Sequence, residues 1–386
     1  MTGADRLVEE LAHRLVTEHS PATTPTAEFL GARFDAGLAW VHFPRGLGGL
    51  GVEPGAQGIA DAIVEVAGGP DPFDLNPMGY GMAAPTVLAH GGPELPERLF
   101  RPLYVCEEIW CQLFSEPGAG SDLAGLATRA VRDGDGWRVS GQKVWTSKAH
   151  EARWALLLAR TDPDVPKHRG LTYFVLDMRD PGVEVRPLRQ LTGDAEFNEV
   201  WLRDAFLDDA WRLGDVGDGW RVAMTTLMNE RNAIGGGSMA RGSGSIGDAL
   251  ALWHEQPDPG LRDRMVSLFA RADALRLTTM RHAVERGDAP AGPLGSLGKL
   301  AWAELNQAVY DLCVDLLGMT GTHHPGYGGG PDLHDTVTWK LLRSRANTVE
   351  GGTAEVLRGV LAERVLGLPG DIRTDKDRPW REVPRG

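Results

Sequence analysis

Residues 115–122, Ser-Glu-Pro-Gly-Ala-Gly-Ser-Asp, place two glycines and a proline between hydroxyl residues, leaving backbone N–H groups free to approach a ligand closely. The pattern suits a plain surface turn or a loop that holds a phosphate or a planar ring. Neither the GK[ST] ending of a P-loop nor a strand-GxGxxG-helix unit accompanies it. A second stretch, Gly141-Gln142-Lys143-Val144-Trp145-Thr146-Ser147, sets an indole beside two hydroxyls on a predicted strand. It reads as a half-buried strand or as a stacking surface with hydrogen-bond donors. Both stretches fall in one predicted sheet region, where their ends could meet over the same planar group, as a ring cofactor would require.

Glu230, in TTLMNERNAI, sits on a helix whose apolar stripe includes Trp220, Met224, Leu227 and Ile234. At about 100° per residue, position 230 shares a face with Leu227 and Ile234. A carboxylate against apolar surface has its charged form disfavoured and becomes a stronger base, as removal of a proton from a weak carbon acid requires. Pairing with Arg231 or another cation is its alternative role. Near the C-terminus, Glu350-Gly351-Gly352-Thr353 leads into a helix rich in Leu and Val, so Thr353, with Glu355 nearby, caps that helix or faces an anion. His323 and His324 lie in a loop-like run without metal-ligand spacing, which argues against a metal site, and the absence of a GxSxG elbow argues against a hydrolase. The run GGGSMARGSGS reads as a helix of small residues.

The elements that must position these groups follow from periodicity. Leu7, Leu11 and Leu15 predict an amphipathic first helix, with further helical runs near 57–67 and 94–106. Short β-prone runs between turn signals occupy about 110–215. Four long helical runs follow at roughly 218–253, 260–287, 295–318 and 333–366. The expected organisation is a helical N-terminal domain (1–108), a β-domain (109–216), a C-terminal helical bundle (217–370) and a loose polar tail (371–386). Composition narrows the class. Hydrophobic residues make up 42% and charged residues 24%, and 40 basic against 53 acidic residues give a net charge of −13. That balance argues against nucleic-acid binding, and no run reaches the ~18 apolar residues of a membrane span. Three scattered cysteines supply neither a disulfide framework nor a zinc site, and the acidic N-terminus lacks the order of a signal peptide. A cytoplasmic location is expected.

In order, these segments resemble the acyl-CoA dehydrogenase family of flavoproteins from about Leu38 to Pro369. The specific matches are FSEPGAGSDLAGLATRA with GQKVWTSKAHEARWALLLART, and VEGGTAEVLRGVLAERVLGLP. The resemblance implies an α+β multidomain architecture: a helical N-terminal domain, a middle β-domain and a C-terminal four-helix bundle, with FAD bound between sheet and bundle in a tetramer. It places Phe114, Ser115, Gly118, Gly120 and Ser121 along the flavin, and Trp145, Thr146 and Ser147 against its ring. Thr353 and Glu355 would reach the dinucleotide, and Ser121 and Arg231 would lie beside the acyl-CoA. The N–H at Gly351 matches the donor to the thioester carbonyl. The implied reaction is α,β-dehydrogenation of an acyl-CoA to a trans-2-enoyl-CoA, with electrons passing to an electron-transfer flavoprotein.

The base of many members is the Glu of a Tyr-Glu-Gly-Thr sequence, whereas Gly351 stands there in this chain and Glu350 is displaced by one. In the isovaleryl and long-chain members the base comes from the bundle helix in an Asp-Leu-Glu-Arg type sequence, which Met-Asn-Glu-Arg at 228–231 resembles. The expected base is therefore Glu230. The family's Arg-x-x-Phe-Gly element is missing at WHEQPDPGLRDRM, and Asp315 replaces a Gln that commonly meets a neighbouring subunit's FAD. A bacterial subgroup acting on bulky acyl chains such as steroid side chains looks most similar, and some of its members assemble from two different chains, so a heterotetramer stands beside a homotetramer. An acyl-carrier thioester is a second substrate form. The rival readings are a same-fold oxidase or flavin monooxygenase, and a non-catalytic FAD-binding subunit of a heteromeric dehydrogenase.

Overall fold

The computed structural model describes every residue except 1, 236–239, 287–292, 325, 327–332, 371, 373–374 and 385–386; the side chains of 230–235, 283 and 286 also lie outside the described residues. The chain divides into two compact units, one of residues 1–187, 197–229 and 374–386, the other of 188–196 and 230–373.

The first unit opens with helices α1 (Gly3–Glu18), α2 (Thr26–Asp35), α3 (Gln57–Val66), α4 (Pro72–Leu75), α5 (Ala84–His90) and α6 (Glu94–Tyr104). Helix α1 starts on a capping box in which the Thr2 hydroxyl accepts from Asp5 N–H and the Asp5 carboxylate accepts from Thr2 N–H. Its buried face is Val8, Ala12 and Leu15, while Leu7 is exposed. The expected Leu7-Leu11-Leu15 stripe is thus rotated by one position. The 4-3 spacing of the observed set keeps to the 3.6-residue period, from which an i, i+4, i+8 set drifts.

Strands β1 (Trp110–Leu113), β2 (Arg129–Asp133), β3 (Gly136–Ser147), β4 (Trp154–Arg160), β5 (Leu171–Asp177), β6 (Val183–Leu188), β7 (Phe197–Asp208) and β8 (Arg212–Leu213) form one sheet in the order β6-β7-β3-β2-β4-β5-β8, with β1 parallel to β4. Strand β4, Trp-Ala-Leu-Leu-Leu-Ala-Arg, is buried at all seven positions, so its sequence runs apolar instead of alternating. The pleat splits it. Trp154, Leu156 and Leu158 join a core shared with the helices, and Ala155, Leu157 and Ala159 join a second core with Val139, Val200 and Leu202. The change from helix to strand near residue 109 is therefore not a gap in packing.

Helix α7 (Gly219–Gly235) begins in this unit. The Thr226 hydroxyl lies 3.0 Å from that of Thr86 and 2.8 Å from that of Tyr173, and His90 Nε2 lies 2.8 Å from the Thr225 hydroxyl. Buried hydroxyls need partners, and this cluster fixes the helix against α5 and β5. The C-terminal segment, expected to be loose, is bound instead: Trp380 N–H donates to Val165 C=O at 2.9 Å, Arg381 N–H donates to Pro163 C=O, and the indole is buried. A polar composition hid one anchoring Trp.

The second unit contains α8 (Ser245–Glu255), α9 (Arg262–Arg286), α10 (Gly295–Leu317), α11 (Val337–Ser344) and α12 (Ala354–Arg364). Leu305, Val309, Leu312 and Leu316 of α10 centre a core with Ile246, Ala249, Met265 and Leu268. Two of the four expected helical runs are broken. The described part of GGGSMARGSGS turns, with Gly242 and Gly244 at φ 76° and 71°, which helical backbone does not permit, and residues 236–239 of it lie outside the described residues. The last run divides into α11 and α12 at the Gly-Gly-Thr turn. Among the described residues, no helix is long and apolar enough to cross a membrane, and no cluster of His, Cys, Asp and Glu could hold a metal.

Candidate active site

The glycine-rich loop leaves β1 and makes a tight reversal in which Glu116 and Ala119 exchange backbone hydrogen bonds of 3.1 and 3.0 Å. Below it stands a pair that the motif analysis missed. Lys143 is fully buried, and its Nζ donates to Phe114 C=O, Glu116 Oε1 and Leu158 C=O, each at 2.9 Å. The Glu116 carboxylate also accepts from Ala127 N–H (2.7 Å) and Thr128 N–H (2.9 Å). Burial alone would push this carboxyl up, but the Lys143 ammonium and the two N–H groups hold it below the usual carboxylate range. Strands β3 and β4, the loop and the segment just before β2 thereby meet at one ion pair. The signal was present in the sequence: Lys143 shares strand parity with buried Trp137 and Val139, so alternation already pointed it inward.

Phe114 packs in the core, edge-on to Tyr173 at 5.7 Å, and the Ser115 carbonyl accepts from Val144 N–H at 2.9 Å. Gly118, Gly120 and Ser121 are exposed. A Cβ built on Gly118 or Gly120 meets nothing within 4 Å, and neither takes a positive φ, so this chain's own packing and backbone do not require glycine at either position. Close approach by a ligand would. Gly118→Ala and Gly120→Ala are accordingly expected to change unfolding stability by less than about 0.5 kcal/mol in urea titration. The same variants are expected to weaken FAD binding by about ten-fold in flavin fluorescence titration. Wild-type FAD affinity in both variants would remove the loop from the cofactor site.

At the end of β3 the pairing with β7 slips between Lys143 and Thr146, and Trp145 takes φ 62°. The left-handed region costs a non-glycine residue about 1–2 kcal/mol. The turn it creates holds the Trp145 indole out, 60% exposed and edge-on to Phe197, while Thr146 points inward. Thr146 Oγ1 is buried without a hydrogen-bond partner among the described residues. Ser147 is half-buried beside it. An exposed indole next to an orphaned hydroxyl is an arrangement that a flat, hydrogen-bonding ring would complete.

In the second unit, Gly351 and Gly352 adopt φ 60° and 94°, and Lys299 Nζ fastens the turn through Gly352 C=O at 2.7 Å. The Thr353 hydroxyl accepts from Val356 N–H at 3.2 Å as the N-cap of α12, and Glu355 lies exposed in the first turn. The cap role is therefore filled, with the N–H groups of the turn set at a helix start. Glu350 points elsewhere: Arg343 pairs with both its oxygens at 3.3 and 3.1 Å, and Asn347 donates to Oε1 at 2.8 Å. Asp315 pairs with Arg264. Glu230 and Arg231 stand on α7 one turn beyond Thr226, and their side chains lie outside the described residues.

Comparison with known proteins gives the class. Residues 111–205 match the model of the acyl-CoA dehydrogenase middle domain and residues 217–366 that of the C-terminal domain. The chain is 42% identical over 349 residues to acyl-CoA dehydrogenase FadE34 of Mycobacterium tuberculosis, covering 90% of this chain and 47% of FadE34, so it spans about half that relative's length. It is 38% identical to acyl-CoA dehydrogenase IpdE1 of the same organism, over 88% of this chain and 86% of IpdE1. Among solved structures, the Tcur3481-Tcur3483 steroid ACAD superimposes with a TM-score of 0.72 at 25% identity, over 95% of this chain and 98% of that one. The chain belongs to the acyl-CoA dehydrogenase family. It has the fold of that family, and it is an oxidoreductase that uses FAD.

Proposed function

We propose that this chain dehydrogenates the thioester of a bulky, ring-bearing acyl group across its α,β bond, with Glu230 as the base. The observation that carries the assignment is the engagement of Glu350. The carboxylate beside the Gly-Gly-Thr turn is held by Arg343 and Asn347, which leaves the helix position 230 to take the proton. The likeness to a steroid ACAD supports the bulky substrate.

When bound, FAD supplies the acceptor for the β-hydride. The protein's task is the α-proton. Glu230 receives it, and the turn at Gly351 offers backbone N–H to the thioester carbonyl, where negative charge develops as that proton leaves. Trp145, Thr146, Ser147 and the loop at 118–121 hold the cofactor ring, with Thr353 and Glu355 toward its dinucleotide end. Ser121 and Arg231 lie along the acyl-CoA. The electron acceptor is an electron-transfer flavoprotein, and the enzyme works in the cytoplasm.

Anaerobic bleaching of the flavin by octanoyl-CoA, isovaleryl-CoA and a steroid-side-chain acyl-CoA tests this reading. The steroidal thioester is expected to bleach fastest; if no acyl-CoA bleaches an FAD-loaded chain, the reading fails. Stoichiometric hydrogen peroxide in air would turn it toward an oxidase. A second reading, one subunit of a heteromeric dehydrogenase, draws on the Arg264–Asp315 pair, because a carboxylate already neutralised within its own unit is a poor replacement for an amide donor to a neighbour's cofactor. Turnover only after co-expression with a second chain would favour it.

A further inference from the structure

The glycine loop is tied at both ends, and the second tie comes from the far end of the chain. Its first end rests on Lys143 and Glu116. Beyond the exposed Gly118, Gly120 and Ser121, three successive carbonyls are captured. Arg160 Nη2 donates to Ala124 C=O at 2.6 Å, Trp380 Nε1 donates to Gly125 C=O at 3.0 Å, and Arg160 Nε donates to Leu126 C=O at 3.1 Å. The Arg160 guanidinium, itself buried, lies 4.3 Å from the centre of the Trp380 ring, so the indole covers the group that holds the loop. Lys167 adds a bridge, with its Nζ 2.9 Å from both Asp122 oxygens and 2.5 Å from Asp375 Oδ2. Backbone pairing around Pro166 and Pro379 keeps the segment in line.

We propose that residues 375–383 are a strap that sets the ligand-binding conformation of the loop, with Trp380, Arg160 and Lys167 as positioning residues for FAD and the thioester. The inference rests on the assignment of residues 118–121 to that site. The physical reason is the loop's composition: glycines at 118 and 120 leave the backbone many conformations, and binding is strengthened when the anchors on either side have already removed most of them. The side chains that hold the loop, Glu116 and Asp122, stand at its two ends, and the stretch between them is held through these anchors. Ala119 N–H is spent on Glu116 C=O, which leaves the N–H groups of Gly118, Gly120 and Ser121 for a ligand.

Hydrogen exchange on the full-length, FAD-loaded protein tests the strap. In Trp380→Ala, peptides covering 118–126 are expected to exchange about ten-fold faster, while those of β5 stay within about two-fold of wild type. FAD affinity by fluorescence titration is expected to fall by a similar factor. Trp380→Phe keeps the cover over Arg160 and loses only the bond to Gly125, so it is expected to recover most of both changes. Unchanged exchange in the loop overturns the proposal, as does faster exchange spread evenly over the whole sheet, or a loosened loop with wild-type FAD affinity. A wild-type chain that takes up no FAD overturns the assignment of the loop, and the exchange data then judge the strap by themselves.

Discussion

Glu230→Gln is expected to bind FAD as the wild type does and to lose bleaching by acyl-CoA, slowing the reductive half-reaction by about 10²–10⁴-fold. The substitution keeps the shape of the side chain while removing the charge and basicity needed to accept the α-proton, so cofactor affinity serves as the control for folding. Position 230 follows the Thr226 cluster by one helical turn. A loss of rate with retained affinity would belong to the carboxylate. Glu350→Gln is the companion variant. It removes the charge paired with Arg343 and is expected to leave the bleaching rate within about two-fold, since a group outside the proton's path contributes nothing to the barrier. A large rate loss in Glu350→Gln, with Glu230→Gln unaffected, would reverse the assignment.

Lys143→Met is expected to lower unfolding stability by about 3–5 kcal/mol, because it strands the Glu116 carboxylate in a site it cannot leave. Urea titration gives the loss, and Lys143→Met combined with Glu116→Gln should recover a large part of it by removing the stranded charge. A cost below about 1 kcal/mol for the single variant would mean that water reaches the pair. The pH dependence has a definite sign. The folded state holds the Glu116 carboxyl below its ordinary value, so its contribution is present above the unfolded value of about 4.3 and is lost as pH falls through the folded one. Glu116→Gln should flatten that acid limb. In Lys143→Met the largest influence lowering the carboxyl is gone and burial raises it, so the acid loss from this group should shrink, and protonation of the stranded carboxylate at low pH should recover part of the variant's deficit relative to wild type.

Element types were readable from the sequence because period and punctuation report them directly, and the fully buried β4 was readable as an apolar run. Orientation was harder. On α1 an i, i+4, i+8 leucine set outweighed the better-spaced Val8, Ala12 and Leu15, since leucine is conspicuous and alanine is not. The glycine loop and the strained indole were legible as motifs, whereas the ion pair beneath them was masked by a bias toward reading lysine as surface. Its strand parity carried the contrary signal. The anchoring of residues 375–383 depends on carbonyls contributed by two distant segments, around residue 125 and at 163–165, a long-range relation that local composition does not encode. For the base, the sequence lacks the Tyr-Glu-Gly-Thr arrangement, and the pairing of the displaced Glu350 with Arg343 is the observation behind the proposal of Glu230.

Strand β4 has a consequence for how such a chain can be divided or recombined. Its even-numbered side chains, with Leu171, Tyr173 and Val175 of β5, form a wall that packs in one core with the preceding helices and the start of α7. A piece cut at the helix-to-strand junction would present that wall to water, and about 25 cal/mol per Å² of apolar surface would then favour association over solution. The smallest module that closes over its own apolar surface is thus the helices and the sheet together. Exchange of parts between relatives would have to move both as one block, and diversity in substrate is then left to side chains on their ligand-facing edges instead of to the exchange of whole layers.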